Sequence, residues 1–255
     1  MQHSQEIDNS RAFAAFDNKV GVGMLTDPAL MKQMAGNRWF SSLPIEDRNE
    51  LLQAGQVLRL RPGEILCRRG DPPRAFYGVM GGTLKVSTLC EDGREAVLSF
   101  LDAGNWFGEA SLLDGSRRSH DVMAVDSSLV LTVPSIAFAG LMQHAAFSTA
   151  IALLLAGRVH RLYSAVEDAM LRSMRAQVAR RLLHLAQGDV SSIAPTQARS
   201  AVQVSHETLA AMLGITRQTV AKELRWLAAT GSIHQQYGRI EITSIAKLRE
   251  TAGAS

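Results

Sequence analysis

Phe107-Gly108-Glu109-Ala110-Ser111-Leu112-Leu113-Asp114-Gly115-Ser116-Arg117-Arg118-Ser119 is the stretch from which the rest of the chain can be read. Gly108 lets backbone approach a ligand closely, and Glu109 to Leu113 predicts one or two helical turns closed by Asp114-Gly115. The unpaired N–H groups at the start of that turn, including those of Ala110 and Ser111, suit an anion. Arg118 adds a planar cation that forks onto phosphate oxygens, whereas Glu109, an acceptor when ionised, suits a sugar hydroxyl. Together they would fit a ribose phosphate. The competing reading of these residues alone is a surface ion pair between Glu109 and Arg118 beside an ordinary turn.

Outward from this stretch, residues 57–134 alternate short apolar runs with turn residues about every ten positions, an antiparallel signal. Pro62-Gly63, Gly70-Asp71-Pro72, Gly81-Gly82, Asp92-Gly93, Asp102-Ala103-Gly104 and Asp114-Gly115 mark reversals. Strands are expected at Ala75–Met80, Thr83–Leu89, Ala96–Phe100, Val122–Val125 and Leu129–Val133, forming a sandwich or barrel. The spacing Phe-Gly-Glu-x-x-Leu-x-x-Gly-x-x-Arg-Ser, matched at Phe107, Gly108, Glu109, Leu112, Gly115, Arg118 and Ser119, resembles the phosphate cassette of cyclic-nucleotide-binding domains. The resemblance implies that Glu109 holds a ribose hydroxyl and that Arg118 and Ser119 hold a cyclic phosphate. His120 stands where that family has a small residue.

Before the β region, residues 1–25 show no period and read as a mobile arm, and Asp27-Pro28 suits the start of a short helix through Met34. Trp39 and Phe40 begin the ordered domain, and a helix is expected over Ile45 to Ala54. After it, Ser135–His144 reads as a short helix and 146–172 as a long one. Ala152, Leu155, Val159, Leu162, Val166 and Ala169 recur at alternating intervals of three and four, the seam of a parallel homodimer. Ile151, Leu154 and Met170 are left for packing on the β domain. The alternative is an ordinary amphipathic helix lying on its own domain.

The last third is basic: residues 172–255 hold 11 Lys+Arg against 5 Asp+Glu, while residues 1–171 hold 16 against 19. Such asymmetry suits a nucleic-acid-facing domain. A helix with Arg175, Arg180 and Arg181 outside is expected over Val178–Leu185, then a polar loop over 187–201. Val204 to Leu227 reads as helix, turn, helix, with Ser205 and Thr216 as N-caps and Gly214 as the left-handed turn residue. Leu209, Ala210, Leu213, Ile215, Val220 and Leu224 form its core, leaving Arg217, Gln218, Thr219, Lys222 and Arg225 for a DNA groove. Gly231 to Ile242 predicts a hairpin, a wing with Arg239 near its tip as a phosphate contact.

This order, a cyclic-nucleotide β-roll, a dimer helix and a winged helix-turn-helix, resembles the bacterial regulators of the Crp/Fnr family over residues 36–250. The expected class is α+β, with an arm at 1–35, a cyclic-nucleotide-binding β-roll at 36–145, a dimerisation helix at 146–172 and a DNA-binding domain at 173–255. Arg217, Gln218 and Lys222 fall on the family's base-reading positions, and Ser205, Thr216, Thr219 and Arg239 are further DNA-contact candidates. Gapless alignment from Leu182–Ala186 puts Leu162 and Tyr163 where the cyclic-AMP receptor branch has a hydroxyl pair reaching adenine; Tyr163 and Ser164 are the base-facing candidates.

The effector implied is cyclic AMP or cyclic GMP, with cyclic di-GMP or no ligand as alternatives. A sensor acting through protein contacts is the more remote one. The implied partners are double-stranded DNA with a two-fold operator, a second copy through residues 152–169, and RNA polymerase as a further candidate. No prosthetic group, metal or catalytic residue is expected. Cys67 and Cys90 read as buried or half-buried strand residues, and the first 66 residues contain no cysteine for an iron–sulfur cluster. With no apolar run of about 20 residues and no basic-to-apolar start, the chain is expected to be cytoplasmic.

Overall fold

The computed structural model describes residues 19–20, 34, 36–187, 200–236 and 238–253. The helix expected from Asp27 and most of the polar loop lie outside them. The first described element, β1 (Lys19–Val20), pairs antiparallel with β2 (Gln56–Leu60) and so corrects the reading of a wholly mobile arm. Backbone pairing orders these two residues without any side-chain period. Helices α1 (Arg38–Ser42), capped by the Asn37 side chain, and α2 (Ile45–Ala54) intervene. Glu46 and Asp47 in the first turn of α2 suit the positive end of its dipole.

Strands β3 (Ile65–Cys67), β4 (Ala75–Gly81), β5 (Thr83–Leu89), β6 (Glu95–Asp102) and β7 (Trp106–Phe107) follow, then α3 (Glu109–Asp114), β8 (Asp121–Ala124) and β9 (Ser128–Pro134). They form two antiparallel sheets, β1-β2-β9-β4-β7 and β3-β8-β5-β6. Between the sheets lie Leu60, Tyr77, Val79, Leu84, Phe107, Val122 and Val130. The other face of the first sheet is covered by α1, α2, α4 (Ser135–Leu141) and the start of α5 (Ala145–Leu171). Two-residue side-chain periodicity explains why β4 is buried along nearly its whole length: Ala75, Tyr77 and Val79 face one core, Phe76 and Met80 the other. Cys67 is buried as expected, but Cys90 is exposed because it follows the last residue of β5 at the hairpin tip.

The apolar packing of the roll covers the first turns of α5. Phe147, Ala150, Ile151 and Leu154 are buried there, and Trp39 Nε1 donates to the Ala150 carbonyl at 2.8 Å. Beyond them the helix is largely bare: Val159, Leu162, Tyr163 and Val166 are exposed. So is Met170, which does not pack on the roll as expected because it lies about four turns past the last buried residue.

The C-terminal domain comprises α6 (Met174–Gln187), β10 (Ala201–Gln203), α7 (His206–Leu213), α8 (Arg217–Ala229), β11 (Ile233–Gln236), β12 (Arg239–Ile242) and α9 (Ile245–Ala252). The expected hairpin is present, and β10 adds a third strand to it, beginning at the last residue of the expected polar loop. Val178, Leu182, Leu209, Val220, Leu224, Ile240 and Leu248 make its core, and Val97 from β6 is buried in the same cluster. Arg180 and Arg181 are half-buried rather than outside, because they turn toward Asp168 and the Met212 carbonyl.

Phe147→Ala should remove the anchor between helix and roll at a cost of about 3–5 kcal/mol, read as a lower urea midpoint with an unchanged slope.

Candidate functional site

Two left-handed glycines delimit the cradle. Gly108 (φ +98°) precedes α3 and Gly115 (φ +70°) follows it. At Gly108 the absence of a side chain is required twice over, since a Cβ would stand 2.8 Å from Arg118 Nη1 and 3.2 Å from the Ala75 carbonyl oxygen. The space it vacates is filled by the Arg118 guanidinium, which donates from Nη1 to the Gly108 carbonyl at 2.8 Å and from Nη2 to the Ala75 carbonyl. It also lies over the Tyr77 ring, 5.3 Å from the centroid. The flanking backbone is sewn to the β3–β4 turn: the Arg118 N–H donates to Asp71 O and the Gly70 N–H to Arg118 O, both at 2.8 Å.

Glu109 and Arg118 do not pair with one another. Glu109, fully buried, accepts through Oε1 from Arg158 of α5, and Arg158 Nη2 also donates to the Trp106 carbonyl at 2.6 Å. Glu109 Oε2 and Arg118 Nε are buried without a hydrogen-bond partner. A carboxylate oxygen and a guanidinium nitrogen left unsatisfied in one cradle match the hydroxyl and phosphate of a nucleotide sugar. Burial pushes the Cys67 thiol up to about 11, although nearby Arg118 opposes this, and raises the Tyr77 hydroxyl to about 12. Both are therefore neutral near pH 7 and do not offset the arginine's charge.

The remaining candidates divide. Ser111 is buried and Ala110 exposed on α3. Ser119 is exposed, its hydroxyl 2.8 Å from His120 Nδ1, so the unexpected histidine partners the serine expected to meet phosphate. Burial, with Arg69 nearby, holds the His120 imidazole below its ordinary range. Tyr163 projects from α5 into solvent. Ser164 meets Arg180: its hydroxyl accepts from Arg180 Nη2 at 3.3 Å, since one residue along a helix from Tyr163 turns a side chain by about 100°. Arg158 was missed by the sequence reading; its signal is a single charge inside the apolar run 150–159.

On the second domain, Ser205 and Thr216 cap α7 and α8, accepting from Thr208 N at 3.0 Å and Thr219 N at 3.1 Å. Gly214 between the helices is left-handed at φ +64°. Val220, Leu224 and Leu227 bury one face of α8, and Arg217, Gln218, Lys222 and Arg225 are exposed on the other. Thr219 is half-buried, its hydroxyl 2.9 Å from that of Thr216. Arg217 lies 3.8 Å from Glu207, and Arg239 on the wing 3.2 Å from Glu241. The exposed guanidiniums are thus loosely held and can exchange partners for phosphate or base edges. On the opposite side, Glu223 is buried against Arg175, whose guanidinium lies 3.9 Å from the Trp226 ring centroid.

Among the described residues no group of three His, Cys, Asp or Glu is placed to hold a metal. Residues 57–145 match the cyclic nucleotide-binding domain and residues 176–251 the Crp-like helix-turn-helix domain. The chain is 28% identical over 220 residues to the cyclic AMP receptor protein of Thermus thermophilus, covering 86% of this chain and 98% of that one. It is 30% identical over 192 residues to the transcriptional regulator LdrP of the same species, covering 75% and 94%. A crystal structure of a CRP-family transcriptional regulator, also from Thermus thermophilus, superposes with a TM-score of 0.62 at 28% identity, covering 77% of this chain and 99% of that one.

Arg158→Ala should strand the Glu109 carboxylate. The expected loss in urea unfolding at pH 7 is about 2–3 kcal/mol, below the roughly 3–5 of a fully buried pair because Arg158 keeps 28% of its side chain exposed. Adding Glu109→Gln should recover most of it.

Proposed function

The chain belongs to the Crp family of transcription regulators, and from that premise we propose that it works as a cytoplasmic homodimer whose DNA affinity is set by a cyclic nucleotide in the cradle. The observation that carries the reading is the buried Arg118 guanidinium, bound to carbonyl oxygens rather than to a carboxylate, with Nε unpartnered. A cyclic phosphate would supply the missing acceptor and the counter-charge. A ribose hydroxyl would donate to the free oxygen of Glu109, whose other oxygen already binds Arg158. Ligand at the cradle therefore bears directly on α5.

The exposed stripe of Val159, Leu162 and Val166 supports pairing of α5 with a second copy. By length and mean hydropathy this helix also matches a membrane span. Its buried first turns and the Arg158–Glu109 pair favour the protein-facing reading. Two copies would present two α8 helices to successive major grooves, about 34 Å apart. A shift of α5 on ligand binding would change the population of that arrangement. At the base, Leu162 and Tyr163 would offer an apolar and a stacking surface, and Ser164 is engaged by Arg180.

Parallel calorimetric titrations with cyclic AMP, cyclic GMP and cyclic di-GMP test the sensor. One should bind saturably to the wild type and at least about 100-fold more weakly to Arg118→Ala, the scale of a lost charge-assisted contact; equal affinity in the variant would remove the assigned role. Lys222→Ala should weaken operator binding by about 1–3 kcal/mol or relax sequence preference, measured by fluorescence anisotropy against selected DNA. Leu162→Asp with Val166→Asp should give a monomer by sedimentation, and a persistent dimer would place the interface elsewhere.

A further inference from the structure

The far end of α5 carries a charge cluster that neither the cradle nor the DNA-facing surface uses. The Asp168 carboxylate accepts from Arg172 Nε at 2.8 Å and from Arg180 Nε at 2.6 Å. From there the two arginines reach in opposite directions. Arg180 of α6 donates back to Ser164, one turn earlier on α5, at 3.3 Å. Arg172, in the link between α5 and α6, donates through Nη1 to the carbonyls of Ala252 and Gly253 at 2.8 and 3.3 Å.

Those carbonyls end α9, where a cation also meets the negative end of the helix dipole. Gly253 makes room for it: φ is +62°, and a Cβ would stand 2.5 Å from Arg172 Nη1. The link's own Arg172 carbonyl is held by Gln177 Nε2 at 2.9 Å. One carboxylate thereby ties the long helix to both the first and the last helix of the C-terminal domain.

The exposures make this more than a surface ion pair: Asp168 is 15% exposed, Arg180 19% and Arg172 31%. Screening is correspondingly weaker, and loss of the carboxylate would leave two guanidiniums facing each other. Val97, with Phe100, makes an apolar contact between the C-terminal domain and the N-terminal unit. Such a contact gives adhesion without direction, whereas the ion cluster has fixed geometry.

We propose that Asp168 is the positioning residue of the DNA-binding domain, setting the angle at which it leaves α5 and passing the state of the cradle to α8. Arg158 lies ten residues earlier on the same helix, about 15 Å away at 1.5 Å per residue. A displacement of Arg158 by ligand is carried along a continuous helix to the clamp. The inference rests on the ligand-controlled DNA-binding reading and is tested so that the two can fail separately.

Full-length wild type, Asp168→Asn, Arg180→Gln and the double variant are compared in three measurements. Asp168→Asn should keep its dimer mass and bind cyclic AMP within about twofold of wild type, while amide exchange in residues 164–180 and 245–253 accelerates about tenfold. The ratio of operator affinities with and without cyclic AMP should fall at least about fivefold toward unity. The double variant should be no worse than the more affected single one, as expected of residues acting as a unit. Unchanged exchange together with an unchanged ratio would overturn the proposal. If the wild type gives no response to cyclic AMP, the cyclic AMP reading fails instead, and the clamp is judged on exchange and operator affinity alone: both altered supports it, both unaltered overturns it.

Discussion

A carboxylate withdrawn completely from water must be met by a cation, and Glu109 is met by Arg158, 49 residues away on another element. The cradle and the long helix are therefore not separate parts joined by a linker. The roll holds α5 by apolar packing at Phe147, Ile151 and Leu154, and the ion pair then fixes the next turn against the cradle. A buried pair of this kind is weak support for stability, but it is directional. Any group that competes for Glu109 acts on α5 as well.

The same division of labour recurs at the other end of the helix. Apolar contact of Val97 with the C-terminal core brings the domains together, and charged hydrogen bonds around Asp168 give the junction its geometry. In between, the exposed Val159, Leu162 and Val166 leave one stripe of α5 without a covering surface. The cradle, an exposed apolar stripe and the DNA-binding domain thus share one helix of 27 residues. Its stiffness suits it to carry a displacement from one to another, since each turn is held by its own backbone hydrogen bonds.

Most of the architecture was legible because its signals are local. Gly108, Gly115 and Gly214 occupy left-handed positions that penalise side chains, Ser205 and Thr216 cap the helices that follow them, and two-residue alternation marks the strands. Such signals need only the next few residues. The misreadings share the opposite property. The strands β1 and β10 owe their order to partners far along the chain, and Cys90 is exposed because of where its hairpin ends. Ser164, the hydroxyl next to the aligned pair Leu162 and Tyr163, meets Arg180 of another helix, a partner that local spacing does not announce.

The amino-acid sequence by itself therefore determined the element types, the two families of motif and their order, together with the residue chemistry offered to phosphate and to DNA. Spacing suffices for these, because backbone conformation and side-chain type are properties of short segments. Tertiary structure alone decided which remote groups meet: Glu109 with Arg158 rather than Arg118, and Asp168, already one helical turn from Arg172, with Arg180 of the next helix, while Arg172 reaches 80 residues on to Ala252. Ion pairing depends on distance and on exclusion of water, and both are set only once apolar packing has brought remote segments together.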